Sequence, residues 1–293
     1  MHRFLRAIGF SDLHQKKQLD ELLRDIVSNP DIQKFAINSD GNEFAEMIRI
    51  YNEHFGIAVC GEFQDDNSFY MDYFYPVFWG EGISTNEVIE VERHSGNESY
   101  AGVCDDMRIG VTLIFYLQDV TEYLRKSLIF GNRCQNVVTT LSALSLCGKI
   151  ILPISKDERQ KEKIEKNNRN RSHLIAAARE GDEEAIESLT LEDIDTYSMI
   201  SRRVATEDIL SIVDSYFMPY GIESDNYSIL GHILEVKTVS NLLTKEELYI
   251  LKVDTNDLVF DLCINKKDLL GEPLPGRRFK GNIWMQGRLH YQD

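Results

Sequence analysis

The sequence predicts an α+β protein: a mostly antiparallel N-terminal sheet with flanking helices (1–155), a charged linker and helical connector (156–221), and a small C-terminal antiparallel β-barrel (222–293). Two observations predict it. Short runs of period-two apolar alternation recur near both ends of the chain, and one highly charged stretch with almost no apolar residues separates them.

The elements follow in order. Ser11 is a plausible N-cap for a helix whose Leu19, Leu22, Leu23, Ile26 and Val27 share one face; Asn29-Pro30 ends it. The period then becomes two. Runs 44–51, 56–63, 87–94 and 110–117 read as strands, with turns at Asp40-Gly41, Asp65-Asp66-Asn67 and Ser95-Gly96-Asn97. A short helix is expected near 119–127. "VVTTLSAL" and "KIILPI", joined through Cys147-Gly148, read as a hairpin, although the first also suits a helix. In Ser155–Arg171 seven cations face four anions, which reads as a solvated linker or exposed helix. Beyond it, Gly181 is a helix stop and Asp182 the next cap, and Thr190 with Asp193 is similar to a capping box. Thr206 caps a further helix with Ile209, Ile212, Val213, Tyr216 and Phe217 on its buried face. From Tyr227 onward "ILGHILEV", "ELYILKV", "LVFDLCI" and "RFKGNIWMQGRLHY" read as four strands, with Asp254-Thr255-Asn256-Asp257 as a hairpin loop. An oligonucleotide-binding-type fold is one candidate for them.

Composition excludes several classes. The net charge of −16 weighs against whole-molecule affinity for nucleic acid or anionic membranes. Cys60, Cys104, Cys134, Cys147 and Cys263 are scattered and odd in number, so neither a disulfide framework nor a zinc site is expected, and free thiols are. No membrane-length apolar run is present, and the opening residues lack the apolar core of a secretion signal. The expectation is a cytoplasmic, soluble protein with no cofactor and no metal, forming a homo-oligomer or meeting a protein partner.

Four segments, "MHRFLRAIGFS", "AAREGDEEAIESLTLEDIDTYSMISRR", "YFMPYGIESDNYSILG" and "GEPLPGRRFKGNIWMQG", together resemble one clostridial family, domain of unknown function 3881. The resemblance covers nearly the whole chain and implies a cytosolic protein of anaerobic Gram-positive bacteria. The family has no assigned activity, so the resemblance supplies no catalytic residues. A second, local similarity, of "AAREGDEEAI" to the opening helices of an ankyrin repeat, occurs once, and solenoids need several stacked copies.

Signatures of chemistry are absent. Cys147-Gly148-Lys149 lacks the first glycine and the hydroxyl residue of a phosphate loop, and Thr85 replaces the third glycine of a dinucleotide loop at Gly80-Glu81-Gly82. Asp65-Asp66 and Asp105-Asp106 are adjacent in sequence, where side chains point apart. His232 reads as a core histidine in phase with Leu234 and Val236. Two places remain. "FYMDYFYPVFW" sets Phe69, Tyr73, Tyr75 and Trp79 on one strand face; core or dimer interface is its first reading, and Tyr73, Tyr75 and Trp79 are the residues to inspect for a pocket. The last strand sets Lys280, Trp284 and Arg288 on its outer face, where cations flank an aromatic as in single-strand binding. The competing partner for that face is the protein's own acidic helical segment, Glu180 to Asp195. Functionally, a non-enzymatic interaction or structural protein is expected, with a sensor or enzyme built on the aromatic sheet, or single-strand binding by the barrel, as alternatives.

Overall fold

The computed structural model describes residues 2–154 and 208–291, apart from 65, 67, 95, 107, 131, 132, 135, 136, 222 and 223, together with part of 170–194. Apart from residue 170, the charged linker 155–171 lies outside the described residues, as does Thr206. The chain divides into two compact units, Met1–Ile151 with Ser215–Asp293, and Leu152–Asp214.

The first unit opens with a 3-10 helix, Arg3–Ile8, which Gly9 ends at φ 90°. Helix α1, Lys16–Ser28, buries Leu19, Leu23 and Ile26. It starts five residues beyond the expected cap. Ser11 donates instead to Glu246 Oε1 at 2.7 Å, a long-range bond that holds it away from the helix.

Strands β1 (Ile32–Ile37), β2 (Glu43–Asn52), β3 (Phe55–Phe63) and β4 (Phe69–Phe78) form an antiparallel sheet in chain order. β1 escaped the sequence reading because its burial does not alternate. The β3–β4 register shifts at Cys60/Gly61, a bulge that moves Phe69–Met71 out of phase with Tyr73–Phe78. Gly61 permits it: a Cβ there would lie 2.0 Å from the Tyr70 carbonyl.

The larger sheet takes β5 (Ile89–Arg93), β6 (Tyr100–Asp106) and β7 (Val111–Leu117). Helix α2 (Val120–Phe130), β8 (Arg133–Cys134) and β9 (Val137–Ile151) follow. After the second unit come β10 (Tyr216–Pro219), β11 (Asn226–Ser240), β12 (Glu247–Thr255), β13 (Leu258–Asn265), β14 (Leu269–Leu270) and β15 (Arg278–Tyr291). The expected loop 254–257 is a tight hairpin, with Asn256 and Asp257 both at positive φ.

One expectation is corrected. β9 is one strand of 15 residues, not a hairpin. Gly148 marks a close approach, since a Cβ there would lie 2.3 Å from the Phe279 ring. β9 then pairs with both β13 and β15, while β15 also pairs with β11, so β11, β12, β13, β9 and β15 are hydrogen-bonded in a ring. β9 belongs to that ring, and Met1–Ile151 with Ser215–Asp293 share one core. The protein is sheet-rich with few helices.

In the second unit Asp182 Oδ1 accepts from the amides of Glu184 and Ala185, capping a helix over 183–191 as expected. Thr190 is inside that helix and donates to the Ile186 carbonyl, so it is no cap. Helix α3 spans only Ile209–Ile212 and is capped by Asp208. Tyr216 and Phe217, expected on its buried face, belong to β10, where β11 pairs with them. Among the described residues no helix is long and apolar enough to cross a membrane.

Candidate functional site

β15 is a central strand. β9 pairs along its whole length, β11 covers the far side of its first half, and β7 meets it at Gln286 and Gly287. Residues Ile283–Gly287 are all buried. The outer face expected around Trp284 is therefore covered: Trp284 is 4% exposed. The covering comes from its own unit. Phe4 stacks on the indole at 5.2 Å, His2 lies at 4.8 Å and Tyr116 at 5.2 Å.

These rings line a cleft of about 510 Å³, together with Arg3, His94, Asp225 and Asn226. The register places it: Asn226 pairs with Trp284, and Met285 N donates to the Asp225 carbonyl at 2.8 Å. The Asp225 side chain thus meets the indole, whose Nε1 donates to Oδ2 at 2.6 Å. Asn226 Nδ2 donates to Oδ1 at 3.0 Å, and Arg3 Nη2 donates to Asn226 Oδ1 at 2.9 Å. Burial raises the Asp225 carboxyl above its ordinary range, against the pull of the Trp284 hydrogen bond. Burial, then the charge of Arg3, lowers His2 to about 4, so its ring is neutral at pH 7. His2 Nδ1 is buried without a hydrogen-bond partner among the described residues.

A second polar cluster lies behind the first. Glu46, fully buried on β2, accepts from Tyr75 OH at 2.9 Å and Thr121 Oγ1 at 3.2 Å. Burial, then the charge of Asp119, pushes Glu46 up to about 7, while Lys34 opposes the shift. Asp119 sits at φ 54°; Lys34 Nζ is 2.6 Å from its Oδ1, and Arg288 Nε 2.8 Å from its Oδ2 in an ion contact outside hydrogen-bonding geometry. Tyr116 joins the two places, its ring 4.8 Å from Tyr75 and 5.2 Å from Trp284.

The candidates chosen from sequence therefore divide. Trp284 lines the cleft, and Tyr75 and Arg288 reach the buried cluster. Tyr73 donates to the Glu98 carbonyl at 2.7 Å and stacks on Tyr75. Trp79 and Lys280 are half-buried and line neither place. His232 is also half-buried, and Leu234 is exposed because a bulge between Ile233 and Glu235 breaks the phase. Sequence reasoning missed Asp225, His2, His94, Glu46 and Asp119. "ESDNY" reads as a turn before a strand, and only strand register could have set Asp225 opposite the tryptophan. Among the described residues no cluster of His, Cys, Asp and Glu is arranged to hold a metal.

Fold and site together define a sheet-rich α+β protein with an aromatic cleft at the centre of its longest sheet. Residues 5–287 match one family model, and the chain belongs to that family, described as a domain of unknown function, E. rectale gene description (DUF3881). No curated protein and no solved structure matches the chain.

Proposed function

We propose that this is a non-catalytic cytoplasmic protein that binds a small molecule in the cleft beside Trp284. The carrying observation is the cleft itself: about 510 Å³, within the range of small-ligand sites, with aromatic rings converging on one buried carboxylate. The lining residues include no serine, cysteine or lysine, Asp225 is already held by the Trp284 indole and the Asn226 amide, and His94 faces Ser99. Glu46, the carboxyl pushed up to about 7, is fully buried and does not line the cleft. Binding therefore suits the geometry better than turnover. The ring of five strands is read as a small barrel, a rigid support that presents Trp284 from β15 and Asp225 from the approach to β11. Single-strand binding loses its motivation, because Trp284 is covered and Arg288 is engaged with Asp119.

The test is an NMR screen of aromatic, cationic, anionic and neutral fragments against the ¹⁵N-labelled protein. At least one class should shift the Trp284 indole and the His94 amide while leaving the Trp79 indole in place. If every class leaves the Trp284 indole unmoved, the reading is wrong.

A further inference from the structure

Asp225 is mostly buried, and its side-chain partners are neutral: the indole of Trp284 and the amide of Asn226. Among the described residues it forms no salt bridge. Burying a carboxylate without a cation is costly, and proteins meet that cost by pairing it or by leaving it for a ligand to pair. Arg3 and His94 act on it through space, but neither pairs with it directly. Arg3 turns away to Asn226 and lies over the Phe4 ring, 4.8 Å from its centroid, and His2 is neutral at pH 7.

The walls narrow the class of cation. Trp284 and Tyr116 both line the cleft, their rings 5.2 Å apart and tilted by 58°, and His94 stacks on Tyr116. A primary ammonium needs three acceptors. Of the acceptors here, Asn226 Oδ1 is taken by Arg3 and His94 Nδ1 faces Ser99 Oγ at 3.2 Å. A methylated ammonium has few or no N–H groups to satisfy, sheds water easily, and fits its methyl groups against ring faces. Arg3, itself a lining residue, lies over Phe4, so one ring of this cluster already makes a cation contact.

We infer that the cleft takes a small methylated ammonium cation, with Asp225 as its counter-ion and Trp284 and Tyr116 as its aromatic walls. This rests on the ligand-binding reading above. Calorimetric titration with choline and with tetramethylammonium, against the neutral choline isostere 3,3-dimethylbutan-1-ol, tests it. Both cations should bind saturably, the isostere at least about tenfold more weakly, as expected when a desolvated cation–ring contact is lost. Asp225→Asn, which keeps an acceptor for the indole, should weaken choline binding by about tenfold or more through loss of the charge. Isostere binding equal to choline, or choline binding unchanged in Asp225→Asn, overturns the cation assignment and leaves the cleft as a neutral-ligand site. Absence of binding by either cation overturns it as well, and the fragment screen then decides separately whether the cleft binds anything.

Discussion

Trp284 Nε1 donates to Asp225 Oδ2 at 2.6 Å, tying the middle of the central strand to the residue just before β11. That bond gives a buried carboxylate its donor and fixes the indole as a wall of the cleft. Trp284→Phe removes the N–H together with part of the buried bicyclic ring. It should lower unfolding free energy by about 2–4 kcal/mol, the cost of leaving a buried polar group short of a partner plus that of the cavity. Urea denaturation monitored by far-ultraviolet circular dichroism checks this, and an unchanged midpoint would show that the bond contributes nothing.

Glu46 makes stability depend on pH. Its carboxyl rises from the ordinary 4.5 to about 7 on folding, chiefly through burial. Between those values the folded state binds more protons than the unfolded one, so stability falls as pH rises through the window and the loss is complete above it. Glu46→Gln should remove that slope, a difference on the order of 3 kcal/mol between the two ends of the window. Asp225, Asp254 and Asp261 are raised in the same direction, so the difference between wild type and variant is the quantity to read. Parallel stability profiles for the two proteins would contradict the assignment.

Gln286 bonds the four-stranded sheet to the larger one. Its Nε2 donates to the Pro76 carbonyl at 2.7 Å, and its Oε1 accepts from Phe78 N at 3.1 Å and Gln118 Nε2 at 2.7 Å. Gln286→Ala leaves buried partners unpaired and should cost about 2–4 kcal/mol, summing over these bonds. Hydrogen exchange should show the Phe78 amide opening faster, and unchanged protection there would argue against this bond.

The Phe115 ring occupies a slot between two glycines. A Cβ on Gly102 would lie 2.2 Å from it and one on Gly287 2.3 Å. Gly287→Ala should destabilise by about 1–3 kcal/mol through overpacking. Phe115→Leu in that background should recover part of the loss, and simple additivity of the two changes would contradict the slot.

Much of this fold was legible in the sequence. β2, β3, β7, β12 and β13 announce themselves because alternation or a tight turn leaves a local pattern, as at Asn256-Asp257. What stayed hidden is non-local. Gly148 resembles a turn in sequence, yet it makes room for Phe279 from a strand 130 positions on. β15 alternates like a half-buried strand, yet its centre is buried on both faces once β4 and the N-terminal residues cover it. The site followed the same division. Trp284, Tyr75 and Arg288 stood out by type and spacing. Asp225, His2, Glu46 and Asp119 carry no periodic mark and gain meaning only from what the strand register sets beside them.

The cleft can be tested with one spectrum. In a sample of the protein with choline, intermolecular nuclear Overhauser effects should run from the N-methyl protons to ring protons of Trp284 and Tyr116, and weaken in Asp225→Asn at the same choline concentration. N-methyl contacts to Trp79 in place of Trp284, or none to any aromatic ring, would contradict a cation site at Asp225.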